Sequence, residues 1–338
     1  MLNHCLVVRK TILFLLIAAF ISAGASAQKI APADIKILHK KEDSLKLLAK
    51  NLIIDSLTAG RMRNDSQFVR TLVRTLQVKN SFYYPLDSVI GISKLYAPDS
   101  TFRIFTWSLS FDDYYSRQRG AIQYRTLDGS LKLVPLSDFS EFTERPLDSV
   151  RTRTNWIGAV YYNIIKTQYN GKNYYTLFGI DDYSVRSNKK WIDVLTFDQN
   201  NQPVFGGPLF SFQKDSVKKP NQYRFAIEYK KDAGALVNYI DEEGMILVDH
   251  LISESDEPDK PYTYIPDGDY EGFKWEKGQW VHIDKVFNYK VDMSGVDPLL
   301  GNPPVGDPLL DSKGNRNEQK LMDKSNKSKA KKKDESSD

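Results

Sequence analysis

The stretch that decides the fold runs from residue 101 to residue 111 and reads Thr-Phe-Arg-Ile-Phe-Thr-Trp-Ser-Leu-Ser-Phe. Within it, Phe105, Trp107 and Leu109 alternate with polar residues. Alternation with a period of two is typical of a half-buried β-strand, because successive side chains of a strand point to opposite faces of the sheet. We therefore expect a β-sheet unit to begin here.

A sequence pattern typical of short strands and tight turns continues to about residue 290. Asn170-Gly171 is the clearest of several turn dipeptides, since Asn-Gly supplies the positive φ angles that two-residue hairpin turns require. The predicted hairpins pair residues 161–168 with 174–180, 191–197 with 204–212, and 223–229 with 236–240. No helical segment separates these strands, which argues against parallel βαβ units. We predict an antiparallel meander over residues 101–290, folded as a sandwich or an open barrel.

Residues 28–100 read as a helical segment that packs on the β unit. Leu45, Leu48 and Leu52 recur at the three- and four-residue spacing of one helix face. Asp65 is a candidate N-cap for a second helix, and Gly60 is a candidate break between the two. The sequence therefore predicts a mainly β protein preceded by two N-terminal α-helices.

The first 27 residues have the three parts of a secretory signal peptide. Arg9 and Lys10 are basic, residues 12–21 are apolar but too few to span a bilayer, and Ala25-Ser26-Ala27 resembles a cleavage site. We expect a cleaved leader and a periplasmic or secreted protein, with an N-terminal membrane anchor as the alternative. No later segment predicts a transmembrane span.

The only cysteine of the chain, Cys5, lies within the predicted leader. The mature chain therefore has no disulfide framework and no thiolate chemistry. It must be held together by burial alone, for which about 300 residues are sufficient.

The C-terminal residues 291–338 predict no packed structure. Asp-Pro-Leu-Leu occurs twice, at 297–300 and 307–310, and the chain beyond residue 313 is rich in Lys and Ser with few apolar residues. Such a segment cannot offset its ordering entropy by burial. We expect a Pro-rich linker followed by a disordered tail.

The net charge of +4 is small and comes largely from the two ends of the chain. Residues 311–338 alone carry nine Lys or Arg against six Asp or Glu. The folded part is therefore near neutral, whereas a nucleic-acid-binding domain needs clustered basic residues on its fold. We expect no nucleic-acid partner.

Six motifs in a fixed order resemble a family of secreted proteins from Gram-negative, Bacteroidetes-type bacteria that has no assigned function. They lie at residues 102–107, 156–162, 174–179, 203–206, 249–251 and 266–270. The resemblance covers about residues 65–285. It implies an exported, β-rich protein and adds no catalytic residue.

One acidic run is a candidate metal site. Asp267, Asp269 and Glu271 stand at alternate positions, as in the first half of a calcium loop, where hard oxygen ligands surround the cation. Gly278 occupies the twelfth position, at which a calcium loop carries a bidentate carboxylate. The alternative is an acidic turn between two strands. Calcium is the one cofactor that the sequence suggests.

Histidine supplies the candidate catalytic groups. His250 follows Asp249 at the end of an apolar strand, which suggests a general base oriented by a carboxylate. The alternative is a hydrogen-bonded histidine at a strand end. His282 lies in an alternating strand and is expected to face solvent or a neighbouring carbonyl. A zinc site that joins both histidines is a further hypothesis, without the spacing of a HExxH motif.

The sequence contains neither a G-x-S-x-G elbow nor a Walker loop. We therefore expect a non-catalytic envelope protein that binds an envelope protein or glycan, or a structural accessory whose helices dock a partner. The alternative is a hydrolase that uses His250 and Asp249 with Asp267 or Asp269. That hypothesis requires His250 and the acids to lie within about 10 Å of one another, beyond which not even one water connects them.

Overall fold

A computed structural model describes residues 30–112 and 114–286 of the chain. Over these residues a helical hairpin is followed by strands in three sheets. The predicted leader at 1–27 and the predicted linker and tail at 291–338 lie outside the described residues. None of the helices in the described ranges combines the length and the apolar character needed to cross a bilayer.

The elements have the following bounds. The hairpin consists of α1 (Pro32–Ile54) and α2 (Thr58–Leu76). The first sheet contains β1 (Ser93–Tyr96), β2 (Phe102–Ser110), β3 (Ser116–Tyr124) and β4 (Lys132–Ser137). The middle sheet contains β5 (Arg151–Thr152), β6 (Val160–Tyr169), β7 (Lys172–Asp181), β8 (Ser187–Phe197), β9 (Pro203–Phe205) and β11 (Phe225–Lys230). The third sheet contains β10 (Phe210–Ser211), β12 (Val237–Ile240), β13 (Met245–Ser253), β14 (Tyr264–Glu276) and β15 (Gln279–Ile283).

The prediction of a mainly β, antiparallel fold with two N-terminal helices is confirmed. Strands account for 41% of the described residues and helices for 20%, so the class is decided by the sheets. Neighbouring strands pair antiparallel except β10 and β15, which run parallel. Among the described strands no sheet closes into a barrel, and the sheets stack as layers.

Strand β2 joins the layers because it is buried on both faces. Phe105, Trp107 and Leu109 pack with the two helices. Phe102 and Ile104 point to the opposite face and pack with the middle sheet. A separate apolar cluster joins the middle sheet to the third sheet. The order of layers is therefore hairpin, first sheet, middle sheet and third sheet.

The predicted hairpins are correct only where the connection is local. Strands β6 and β7 pair around Asn170 and Gly171, whose φ angles of 48° and 74° are those of a type I′ turn. Strand β8 pairs with β9 as predicted. Strand β10, which lies in the same predicted segment 204–212, instead pairs with β15 in the third sheet. The predicted pairing of 223–229 with 236–240 is wrong. Strand β11 pairs with β8, and β12 pairs with β13 in another layer.

Two details of the helical segment also differ from the sequence prediction. The helices are separated at residues 55–57 and not at Gly60, which lies in the first turn of α2. Asp65 is not an N-cap but a buried residue inside α2. Its carboxylate accepts a hydrogen bond from Trp107 Nε1 at 2.9 Å and contacts Arg119 Nη2 at 3.2 Å. In addition β1 begins at Ser93, so the β unit starts earlier than residue 101.

Arg103 is the largest polar anchor of the first sheet and is fully buried. Its guanidinium donates to the backbone carbonyls of Ser81 and Tyr84 at 2.9 and 2.7 Å, and to Gln123 Oε1 and Tyr96 Oη at 2.7 Å each. These bonds hold the segment between the hairpin and β1 against β2. A buried guanidinium whose donors are satisfied in this way adds polar anchoring to a loop that also buries Phe82, Leu86 and Val89.

Replacing Arg103 tests this anchor. Arg103→Ala leaves several buried acceptors without a donor, and we expect the free energy of unfolding to fall by about 3 kcal/mol. Arg125→Ala removes an exposed guanidinium directly after β3 and should change the free energy of unfolding by no more than about 0.5 kcal/mol. Urea unfolding followed by circular dichroism measures both. Equal midpoints for the two variants would show that Arg103 is not an anchor.

Candidate functional site

A β-bulge in β13 places the predicted catalytic pair. The register of β13 against β14 shifts between Asp249 and Leu251. A bulge redirects consecutive side chains, so neighbouring residues face different surroundings. Asp249 is buried, and the side chain of His250 is 40% exposed. No hydrogen bond joins the two side chains among the described residues, so their action as a pair stays a hypothesis.

Asp249 serves the packing of the third sheet. Its Oδ2 accepts the backbone N–H of Leu236 at 2.6 Å, just before β12 begins. Burial raises the pKa of Asp249 to about 6, although the Leu236 N–H and the charge of Lys190 act in the opposite direction. The carboxylate is thus directed at the backbone of the sheet.

His250 is paired with Asp267 instead. Its Nδ1 lies 2.8 Å from Asp267 Oδ2, which meets the distance requirement of the hydrolase hypothesis. Within residues 30–112 and 114–286, Asp267 is the only side chain that hydrogen-bonds to this ring. A nucleophile beside the base, which covalent hydrolysis needs, is therefore missing from the described contacts.

The acids at 267–271 do not form a calcium loop. All three lie in β14, where alternate side chains are about 7 Å apart along the strand. Each faces a different partner: Asp267 contacts His250, Asp269 lies 4.0 Å from Lys285, and Glu271 contacts His282. Over the part of the chain that the structure describes, no three His, Cys, Asp or Glu side chains are grouped so that they could hold a metal ion.

His282 lies inside the third sheet and not at its surface, so the expectation of a solvent-facing ring is wrong. Its Nδ1 lies 2.8 Å from Asp215 Oδ2, and its Nε2 lies 3.0 Å from Glu271 Oε2. The rings of Phe212 and Phe273 lie 5.0 Å from it. Burial alone would lower the pKa of His282, but the bonds to Glu271 and Asp215 outweigh it and raise the pKa. The arrangement is a buried ion cluster that ties β15 to β14 and to the loop after β10.

This cluster makes stability depend on pH. Because the pKa of His282 is raised in the folded state, its contribution is fully present below the unfolded pKa of about 6.5 and is lost as the pH rises through the folded pKa. We therefore expect His282→Gln to lose more stability at about pH 6 than at about pH 8.5. Urea midpoints of both proteins at the two pH values measure the difference. A loss that is larger at the higher pH would contradict the ion cluster.

One described cavity lies away from these residues. It is an open depression of about 540 Å³ lined by Phe142, Thr143, Glu144, Arg145, Asp148, Ser149 and Arg151. It contains none of the candidate residues from the sequence. The cavity therefore gives the hydrolase hypothesis no binding cleft.

The outer side of the helical hairpin is a second candidate site. Helices that dock a partner were one expectation from the sequence, but their surplus of basic residues was not predicted. Residues 30–80 carry ten Lys or Arg against five Asp or Glu, whereas residues 81–286 carry 24 against 29. The near-neutral total conceals this asymmetry. A charge count made element by element is the signal that finds it.

Acidic side chains of the hairpin take part in contacts with the rest of the fold more often than its basic side chains do. Glu42 is buried and accepts hydrogen bonds from Tyr84 Oη and the Ser88 N–H, and Asp65 is buried against Trp107. Only Arg61 among the ten bases is tied to the fold by hydrogen bonds, to Ser110 O and its surroundings. The other nine form no ion pair with any described residue: Lys36, Lys40, Lys41, Lys46, Lys50, Arg63, Arg70, Arg74 and Lys79.

Helical spacing puts six of these bases on the side that faces away from the first sheet. The buried side of α1 consists of Leu38, Glu42, Leu45, Ala49 and Leu52. Opposite to it, exposed residues recur at intervals of three and four: Lys36, Lys40, Asp43, Leu47, Lys50 and Ile54. On α2 the corresponding positions are Arg63, Arg70 and Arg74. We call the exposed residues of these two stripes the hairpin face.

An apolar end adjoins the hairpin face. Ile53, Ile54, Leu57 and Ile90 are all more than half exposed. A Cβ placed on Gly91 would lie 2.2 Å from Ile53 Cδ1, so the turn that carries Ile90 touches the end of α1. We call these four residues the apolar tip. Clustered aliphatic side chains in solvent mark surfaces that meet a partner.

Comparison of the chain with protein-family models, curated proteins and solved structures gives no match. The family resemblance inferred from the six motifs therefore stays a prediction.

Proposed function

We propose that this chain is an exported, non-catalytic accessory of the cell envelope that docks on an anionic envelope partner through its hairpin face. The observation that carries the proposal is the set of six exposed bases of the hairpin face that form no ion pair with a described residue, on two helices whose acids are largely used internally. Export rests on the leader expected at residues 1–27, and the β layers serve as the scaffold that holds the hairpin.

Elementary electrostatics supports an anionic partner. Like charges held together on one rigid surface repel each other, and an opposite surface relieves that repulsion. Proteins retain clusters of like charge, despite their mutual repulsion, where the electric field of the cluster guides association with a partner. Because these bases form no ion pair with any described residue, they are available to a partner without breaking one.

Charge reversal on the hairpin face tests the proposal. Lys40→Glu/Lys50→Glu/Arg70→Glu should abolish co-sedimentation of the mature protein with isolated envelopes, and wild-type binding should weaken as salt rises from about 0.1 M to about 0.5 M. Arg125→Glu/Arg153→Glu/Lys218→Glu is the matched control, because it changes the net charge equally at exposed positions outside the hairpin. Equal binding by both triple variants would contradict the proposal.

A hydrolase that uses His250 is the second candidate, favoured by the 2.8 Å contact with Asp267. It predicts turnover of an ester, phosphoester or glycoside that His250→Ala abolishes. The docking proposal predicts that His250→Ala binds envelopes like the wild type. Hydrolysis of a panel of chromogenic substrates by the wild type and by His250→Ala separates the two functions.

A further inference from the structure

Resting on the proposed docking through the hairpin face, we infer that its partner is the phosphate-bearing headgroup layer of an anionic lipid bilayer. The hairpin lies flat on that layer, with its bases at the phosphates and its apolar tip in the outer acyl region.

The first argument is that the surface mixes bases with aliphatic side chains. Leu47, Ile54 and Leu57 are 59%, 61% and 69% exposed, and Lys50 lies between the first two. Polysaccharides and nucleic acids offer phosphate or carboxylate but no apolar phase for such side chains. A bilayer surface offers both within a few ångströms of depth, which is why interfacial helices combine Lys and Arg with Leu and other apolar residues.

The second argument is the position of the apolar tip. It lies at one end of the hairpin, where α1 stops and the chain turns into α2. Asp55 fixes this turn by accepting the backbone N–H of Leu57 at 3.0 Å, and Arg61 donates to the carbonyl of Asp55 at 2.8 Å. The tip is thus held in an ordered turn, and no aliphatic side chain has to be uncovered for insertion.

The third argument is the reach of the bases. Lys36, Lys40 and Lys50 extend from the outer stripe of α1, and long basic side chains can follow an apolar surface while keeping their charge at the polar layer. Asp43 is the single acid on that stripe. Each basic residue near an anionic bilayer strengthens binding about fivefold.

The fourth argument concerns the opposite end of the molecule. Residues 241–271, which include all of β13 and the first part of β14, carry eleven Asp or Glu and a single Lys. They belong to the third sheet, three layers away from the hairpin. An anionic surface repels this end and attracts the other, so the field alone orients the hairpin toward the bilayer.

Flotation with lipid vesicles tests the inference on the mature chain. The wild type should float with phosphatidylcholine vesicles that contain about 30% phosphatidylglycerol and not with pure phosphatidylcholine. Two variants should each bind at least about tenfold more weakly: Lys40→Gln/Lys50→Gln/Arg70→Gln, which removes charge, and Ile54→Ser/Leu57→Ser, which removes the apolar tip. Tyr114→Ser/Val217→Ser is the control, because both residues are more than two-thirds exposed elsewhere.

The outcomes separate this inference from the proposed function. Equal binding of the wild type to both kinds of vesicle overturns the lipid assignment, and so does a Ile54→Ser/Leu57→Ser variant that binds like the wild type. If envelopes still bind through the hairpin face while vesicles do not, the partner is an acidic protein or glycan and the docking proposal stands. If neither envelope binding nor vesicle binding depends on the hairpin face, the docking proposal and the lipid inference are both wrong. All three variants change exposed residues, and their circular-dichroism spectra should match that of the wild type.

Discussion

The two-sided burial of strand β2 is the constraint on which the rest of the structure depends. One face of the strand packs with the middle sheet through Phe102 and Ile104, and the other packs with the helices through Phe105, Trp107 and Leu109. The second face would expose large aromatic surface without the hairpin, and burial of such side chains contributes about 2 kcal/mol each. The buried stripes of α1 and α2 therefore pack against β2, and the opposite stripes of the two helices face solvent.

The same constraint explains where the charges are. Acids in the hairpin take part in the interface itself, as Asp65 does with Trp107 and Glu42 with Tyr84. Among the described bases of the hairpin, Arg61 alone hydrogen-bonds to the first sheet, and six others lie on the outer side. The charge of the molecule is therefore distributed asymmetrically, with a surplus of bases on the hairpin and a surplus of acids in the third sheet. Such a polarity is a property of surfaces and association, and the fold itself does not require it.

The sequence predicts what local periodicity and turn chemistry control. Alternation over residues 101–111 gives β2, and Asn170-Gly171 gives the β6–β7 hairpin. The pairing of β11 with β8, and of β10 with β15, joins strands that are distant in sequence, and no local signal reports it.

The candidate site shows the same limit. Asp65 has the residue type of an N-cap, but a tryptophan 42 residues away determines its role. His282 was expected at the surface because its strand alternates, whereas Asp215 and Glu271 satisfy both ring nitrogens inside the sheet. His250 and Asp267 are brought together by the pairing of β13 with β14, which the adjacency of His250 to Asp249 does not reveal. In contrast, the basic surplus of residues 30–80 is visible in the sequence once charges are counted by element.

The central claim is that the hairpin face, with its apolar tip, is the surface that meets the envelope. The one cysteine of the sequence, Cys5, lies in the predicted leader. A chain that begins at residue 28 therefore accepts an environment-sensitive fluorophore at a single introduced cysteine. Labels at Leu57→Cys and at the similarly exposed Val217→Cys report on opposite parts of the molecule. On vesicles that contain phosphatidylglycerol, the account predicts a blue-shifted emission at position 57 and unchanged emission at position 217. An unchanged emission at 57, or the same shift at both positions, would contradict it.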